Sequence, residues 1–234
     1  MKKIYITFVR ALADLLRRAG VMTLLDRLAP RSRVAAWLRS LFAIYDVEQL
    51  ARLDVPWWTF DSADRVTAFL EQRPDARVFE WGSGASTLWL AARAGSVRSV
   101  EHHAGWAAEL APRLPDNVIL TVVEPTESAA PAVGSAKPGH AGLEFAEYVA
   151  AIDAVPGDFD LIVIDGRARE ACLARAVDRI RPDGLIVFDN VDRQRYVDAI
   201  DTLGPRVEVV MTRGLTPALP YPTRTALLRP APTA

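Results

Sequence analysis

The sequence predicts a doubly wound α/β fold, in which helices cover both faces of a seven-stranded, mostly parallel sheet. From residue 75 onward, short β-rich runs alternate with helical ones, the order typical of this fold class. Some strands, such as residues 161–164, are apolar throughout, as expected for parallel strands buried on both faces. The last two strand-like runs have no helical pattern between them, so we expect a C-terminal antiparallel strand pair.

The elements of this part follow one another in a regular order. The predicted strands cover residues 77–80, 96–101, 118–123, 160–165, 184–189, 207–212 and 225–229. The predicted helices cover residues 87–94, 106–113, 143–154, 169–180 and 195–203. Residues 125–142 are rich in Pro, Ala, Gly and Ser and interrupt the alternation. A loop of this length is either a lid over a substrate or a tolerated insertion, and the sequence leaves both open.

An N-terminal helical extension precedes the α/β part. Apolar residues recur at helical spacing over residues 5–16, and further helices are predicted at residues 33–45 and 62–71. Pro56 interrupts the helical pattern between the last two. We therefore divide the chain into an extension, residues 1–74, which caps the active site, and a catalytic domain, residues 75–234.

The extension is basic and the rest of the chain acidic. Residues 1–44 hold nine Lys and Arg against two Asp, a balance of +7, so the net charge of -1 leaves -8 for the remainder. This asymmetry suits peripheral membrane contact through residues 1–28, docking on a second copy in a homodimer, or docking on the chain's own domain. An acidic catalytic domain argues against nucleic acid as a partner.

The chain has the features of a cytoplasmic protein, with membrane association left open. No apolar run reaches the roughly 18 residues that span a bilayer. The charges at Arg10 and Asp14 interrupt the first apolar run too early for a signal peptide. Cys172 is the single cysteine, which excludes a disulfide within the chain and a zinc site of the Cys-rich type.

Two strand ends carry the features of a nucleotide site. After the first strand, Gly82 and Gly84 allow the backbone to turn tightly and approach a ligand. The second strand ends at Glu101, whose carboxylate can accept hydrogen bonds from two ribose hydroxyls. In a doubly wound sheet such strand ends meet along one edge, where ligands bind.

These motifs resemble the class I S-adenosylmethionine-dependent methyltransferases between residues 78 and 192. Glu80 stands where the family has its first acidic residue, and Ser86 replaces a third glycine, as in some small-molecule O-methyltransferases. The resemblance implies S-adenosyl-L-methionine as cofactor. The cofactor-binding residues that it implies are Glu80, Gly82, Ser83, Gly84, Ser86, Glu101, His102 and Asp165.

The later strand ends are similar to those of the catechol and caffeoyl-coenzyme A O-methyltransferases, which bind a metal there. Carried over, the resemblance implies Asp165, Asp189 and Asn190 as ligands of Mg²⁺. The ion would activate and orient an acceptor hydroxyl. The alternative is that these residues cap helices or shape the cofactor pocket without a metal.

One departure from that family concerns the general base. Those enzymes have a lysine three residues after the first metal aspartate, where this chain has Ala168, and the flanking arginines are poor bases. His102, His103 and His140 are candidates because histidine titrates near neutrality. We assign the catalytic roles to Asp165 and His102.

Two further sets of residues are candidates for the acceptor side. Trp57 and Trp58 are either core residues or walls of the acceptor pocket. Four arginines either bind an acidic substrate or form a solvated surface, namely Arg167, Arg169, Arg193 and Arg195.

The predicted activity is methyl transfer to a small-molecule or glycan-type acceptor, with oxygen preferred over nitrogen. A nicotinamide-dependent oxidoreductase is the alternative within the fold, but Thr87 stands where its third glycine belongs. A cofactor-binding module without turnover, recruited to a membrane or partner, is the alternative from another class.

Overall fold

We describe the fold from a computed structural model that describes residues 12–43 and 47–232. The helices are α1 (residues 12–18), α2 (Val21–Leu28), α3 (Arg33–Ser40), α4 (Val47–Arg52), α5 (Phe60–Glu71), α6 (Ala85–Ala91), α7 (Ala104–Leu110), α8 (Ala146–Ala150), α9 (Arg169–Ala176) and α10 (Gln194–Asp201). The strands are β1 (Arg77–Trp81), β2 (Ser96–Glu101), β3 (Val118–Val122), β4 (Thr126–Glu127), β5 (Leu143–Glu144), β6 (Phe159–Ile164), β7 (Ile180–Asp189), β8 (Val207–Gly214) and β9 (Thr223–Pro230).

A seven-stranded sheet forms the centre of the chain, in the order β3-β2-β1-β6-β7-β9-β8. The five strands from β3 to β7 in this order pair in parallel. Strand β9 runs antiparallel to both of its neighbours, β7 and β8. The prediction of a doubly wound sheet closed by an antiparallel pair is therefore confirmed. The strand order reverses between β1 and β6, which is where such sheets bind ligands.

Alternating side chains of the central strands pack into separate cores on the two faces. Along β6, Ile162 and Ile164 join the core beneath α8, α9 and α10, whereas Leu161 and Val163 join the core beneath α5 and α6. Burial on both faces explains why this strand is apolar throughout. Helix α5 thus shares a core with the sheet, although it precedes residue 75.

The N-terminal helices pack against the loop between β8 and β9. In α3 the Trp37 indole donates to the Leu219 carbonyl (2.8 Å), and the Ala218 amide donates to the Ser40 hydroxyl (2.8 Å). Within the described part of the chain, no helix is long and apolar enough to cross a membrane. The predicted helix over residues 5–16 lies mostly outside the described residues, as does the end of the one over residues 33–45, and membrane contact through residues 1–28 stays a prediction.

The predicted helix over residues 143–154 is partly wrong. Leu143–Glu144 forms β5, which pairs antiparallel with β4, and the helix begins only at Ala146. The reason is a long-range one, because the partner strand lies 16 residues upstream, beyond the range of helical periodicity. The residues between the two strands therefore belong to a closed hairpin, which we call the flap (residues 126–144).

Candidate functional site

A cleft of about 560 Å³ opens at the carboxyl ends of β1, β2, β6 and β7. It lies where the strand order reverses, at the position that the sequence indicated. The predicted site residues that line it are Gly82, Ser83, Gly84, Ser86, Glu101, His102, Asp165, Asp189 and Asn190. Glu80 is the one predicted site residue that does not line the cleft.

The turn after β1 brings two strand ends into close contact. Gly82 has a φ of 97°, and a Cβ atom there would lie 2.6 Å from the Cα of Gly166, which follows β6. Gly84, by contrast, has open space where its Cβ would be. The first glycine is therefore required by the fold and the second leaves the backbone open for a ligand.

Glu101 is tied to the glycine turn by several hydrogen bonds. One carboxylate oxygen accepts from the backbone amide and the hydroxyl of Ser83 (3.1 and 3.0 Å), and the other accepts from the amides of His102 and His103 (2.9 Å each). Burial acts to raise the pKa of Glu101, but hydrogen bonds from His102, Ser83 and His103 outweigh it and lower the pKa. This residue is thus an ionised acceptor at the rim of the cleft.

Glu80 lies beneath the cleft rather than in it. It is fully buried on the α6 face of the sheet, where it accepts hydrogen bonds from the hydroxyls of Ser86 (2.5 Å), Thr87 (2.6 Å) and Ser99 (2.7 Å). Thr87 also accepts from the Gly84 amide (2.9 Å). Glu80 therefore positions the glycine turn from below, while direct contact with the cofactor stays a prediction without geometric support.

The three histidines occupy different positions. The His103 Nδ1 accepts from the Trp106 amide (3.0 Å) and so caps α7. The His102 Nδ1 lies 2.7 Å from Glu101, and the ring packs against those of His140 and Tyr148, with centroids 5.9 Å apart in both cases. Burial is the main cause that lowers the pKa of His140. His102 and His103 both line the cleft, and the His102 ring is the one in contact with the Glu101 carboxylate.

A buried arginine joins the ends of β6 and β7. The Arg169 guanidinium donates to the carboxylate (2.6 Å) and the carbonyl (2.7 Å) of Asp165, and to the carbonyls of Asp189 (2.7 Å) and Gly166 (3.1 Å). Of the two carboxylate oxygens of Asp165, it bonds Oδ1. Burial raises the pKa of Asp165 despite the charge of Arg169.

The contacts of the predicted metal ligands favour a site without a metal ion, and Mg²⁺ binding stays a prediction. Both carboxylate oxygens of Asp189 are engaged, one by the Thr225 hydroxyl (2.6 Å) and one by the Asn190 amide. Burial, and then the charge of Asp165, raise the pKa of Asp189 to about 7. Arg169 supplies at this rim the positive charge that Mg²⁺ would bring.

Ala168, at the position of the missing lysine, adopts a left-handed conformation. Its φ is 47°, it is buried, and it precedes the first residue of α9. Such a conformation is rare for residues other than glycine and asparagine. The backbone is thus set by the turn between β6 and α9, three residues after Asp165 in the chain.

The walls of the cleft include residues that the sequence indicated and others that it did not. Trp57 lines the cleft together with Leu219, whereas Trp58 is fully buried and packs edge-on against Trp89 (centroids 5.6 Å apart). Trp106 was not singled out, yet its indole donates to the Ser83 carbonyl (2.8 Å). Its position at the start of the helix after Glu101 was the signal available in the sequence.

The flap is folded and reaches the cleft. The Glu144 carboxylate accepts from the amides of Ala132 (2.6 Å) and Val133 (3.0 Å), so the flap is closed on itself. Its tip contributes Lys137 to the cleft wall, and His140 packs on His102. Of the two interpretations of residues 125–142, the geometry favours a cover over the substrate.

Comparison with known proteins supports the fold. No protein-family model and no curated protein sequence matches the chain. Among solved structures, a putative O-methyltransferase from Klebsiella pneumoniae is similar, with a TM-score of 0.56 and 17% identity over 80% of this chain and 88% of that one. The O-methyltransferase TomG from Streptomyces achromogenes gives 0.55 and 17% over 81% and 90%. A putative rRNA-methylase from Clostridium thermocellum gives 0.52 and 12% over 74% and 97%. At these identities the likeness concerns architecture, and the chain has the methyltransferase fold.

Proposed function

We propose that this chain is an S-adenosylmethionine-dependent methyltransferase that methylates an oxygen of a small-molecule acceptor. The observation that carries the proposal is the cleft at the strand-order reversal, where an open glycine turn faces an ionised carboxylate, Glu101. The inserted antiparallel strand β9 favours the methyltransferase version of the fold over the nicotinamide-binding one. The similar solved structures, several of them named O-methyltransferases, support the same choice.

The residues present fit this cofactor. Glu101 would accept the ribose hydroxyls, and the Ser83 hydroxyl now donates to one of the same oxygens, as a ribose hydroxyl would. His102 and Trp106 would flank the nucleoside on either side of Glu101. When bound, S-adenosylmethionine supplies a methyl group on a sulfonium, ready for in-line displacement.

Asp165 is the group that we assign to the acceptor hydroxyl. Arg169 fixes one of its carboxylate oxygens from behind, which leaves the other available to accept a proton. The raised pKa makes this carboxylate a stronger base than an exposed aspartate. His102 is the second candidate base, and its contact with Glu101 would orient its ring. The proposed reaction needs no metal, because Arg169 balances the charge of Asp165.

The test separates cofactor binding from turnover. Titration calorimetry of the full chain should show binding of S-adenosylhomocysteine and none of NAD⁺, and labelled S-adenosylmethionine should transfer its methyl group to members of a panel of phenols, sugars and hydroxy acids. Asp165→Asn keeps the shape and should lower kcat about 10²- to 10⁴-fold at saturating S-adenosylmethionine. Binding of NAD⁺ in place of S-adenosylhomocysteine would overturn the proposal. Binding without transfer to any acceptor would favour a module without turnover.

A further inference from the structure

We infer that the acceptor of the proposed reaction carries an oxyanion, a carboxylate or a phosphate, which binds in a basic side pocket beside the cleft. This inference rests on the proposed function. The side pocket is formed by the flap, by the turn before α9 and by the turn before α10. Its cationic side chains are Lys137, Arg167, Arg169, Arg193 and Arg195.

The side pocket is small and adjoins the catalytic rim. Its volume is about 40 Å³, room for a few water molecules or one small oxyanion. It shares Arg167, Arg169 and Asn190 with the main cleft. A group bound there would therefore lie next to Asp165, the residue that we assign to the acceptor hydroxyl, because Arg169 contacts both.

The charges around the side pocket do not balance. Five cationic side chains line it, but Glu170 is the one acidic residue among the lining residues. Within the described part of the chain, the ion pairs of the four arginines of this set are those of Arg195 with Glu170 (2.9 Å) and of Arg169 with Asp165 (2.6 Å). Arg167 and Arg193 thus have no carboxylate within 4.0 Å. An oxyanion would supply the missing negative charge.

Arg167 is held in the wall of the side pocket rather than in solvent. It is half-buried, its Nη1 donates to the Gly166 carbonyl (3.1 Å), and its Nε is buried without a hydrogen-bond partner. Burial, and then the neighbouring charge of Arg169, lower its pKa. Burying a cation without a full set of partners costs free energy, and this cost is offset when an anion binds.

Two helices also begin at the side pocket. Helix α9 begins at Arg169 and α10 at Gln194, and neither has a side chain that caps its first turn. The first turns contribute Glu170, Arg195 and Tyr196 to the lining. The free amides and the positive ends of two helix dipoles add to the attraction that the arginines exert on an anion. The arginines and the helix ends therefore favour the same class of ligand.

The first experiment measures anion binding in the absence of turnover. Inorganic phosphate and acetate are titrated into the full chain saturated with S-adenosylhomocysteine, at constant ionic strength set with chloride. We expect one of the two to bind, and Arg167→Gln and Arg193→Gln each to weaken it about tenfold. Arg213→Gln, which removes an exposed charge on β8 that does not line the side pocket, should leave the affinity unchanged. If only one of the two anions binds, that anion identifies the class of oxyanion that the side pocket prefers.

The second experiment measures turnover of matched acceptors. A phenol, a hydroxybenzoate and a hydroxyphenyl phosphate are compared as acceptors. We expect one of the two anionic acceptors to have the lowest KM. Arg193→Gln should raise that KM about tenfold and leave the KM of the phenol unchanged. Equal use of the neutral phenol, with no effect of Arg193→Gln, would overturn the inference. If S-adenosylhomocysteine binds but neither anion does, the inference fails and the proposed function stands. If S-adenosylhomocysteine does not bind, the proposed function itself fails.

Discussion

Replacing Glu80 with glutamine should remove a pH dependence of stability that the buried carboxyl creates. Burial raises the pKa of Glu80 from 4.5 to about 7, although the hydroxyls of Ser86, Thr87 and Ser99 act against it. A carboxyl with a higher pKa in the folded than in the unfolded chain stabilises the fold below pH 4.5, and this stabilisation is lost as the pH rises through about 7. At 1.36 kcal/mol per pKa unit, the loss is about 3 kcal/mol across this range.

The assay is urea unfolding of the full chain at a series of pH values from 4.5 to 8.5. The free energy of unfolding of the wild type should fall, relative to that of Glu80→Gln, by about 3 kcal/mol over the series. Glu208→Gln is the control, because this exposed carboxyl lies on β8 away from the cleft. Parallel curves for wild type and Glu80→Gln would refute the burial argument.

Five further predictions concern the cleft, the core and the extension. Ser83→Ala should bind S-adenosylhomocysteine at least as tightly as wild type, because it frees an oxygen of Glu101 for the ribose; weaker binding in calorimetry would contradict this role. Methyl transfer should survive exhaustive EDTA treatment, and a loss that Mg²⁺ restores would contradict the arginine-for-metal account. Trp58→Ala should cost about 3 to 5 kcal/mol in urea unfolding, because the ring is fully buried. Trp57→Ala should instead raise the acceptor KM, and an unchanged KM would remove this residue from the pocket wall. The chain should float with anionic vesicles through residues 1–28, and an absence of flotation would exclude this membrane contact.

The vesicle prediction has a structural basis in the described residues of the N-terminal helices. Leu15, Leu24 and Leu28 expose between 44% and 62% of their surface, on a part of the chain that also carries an excess of basic residues. Exposed apolar side chains next to cations suit an anionic lipid surface. Vesicles of neutral lipid are the control, since charge attraction is then absent.

The strands and the glycine turn were predictable because their signals are local. Strand burial is read from residues that are neighbours in the sequence, and the two glycines of the turn are two residues apart. Glu101 ends the very next strand. The sheet edge on which Asp165 and Asp189 meet follows from parallel pairing, which continuous apolar strands indicate. These signals were sufficient to locate the cleft.

The roles of individual side chains depend on contacts between elements and were harder to predict. Glu80 was predicted as a cofactor-binding residue, and strand alternation directs it, like Val78, to the face beneath α6, where it holds the glycine turn. That direction could have been inferred from the strand, since Val78 is two residues earlier. Arg169 lies four residues after Asp165, a spacing visible in the sequence, but its bond to the Asp189 carbonyl depends on the pairing of β6 with β7.

The flap shows the same distinction between local and distant contacts. The apolar pattern of residues 143–154 suggested a helix, yet pairing with Thr126–Glu127 draws the first two of these residues into a strand. The Glu144 carboxylate then secures the hairpin through backbone amides, which no residue pattern specifies. Lys137 reaches the cleft as a consequence.

A crystal structure of the chain with S-adenosylhomocysteine tests the central claim most directly. We expect the ligand in the cleft of about 560 Å³, with its ribose hydroxyls bonded to Glu101 and its homocysteine part along Gly82 and Gly84. Its sulfur should face Asp165 with no metal ion between them. Three results would contradict this expectation: a ligand bound elsewhere, a ribose that leaves the Ser83 hydroxyl bonded to Glu101, or a metal ion in the place of the Arg169 guanidinium.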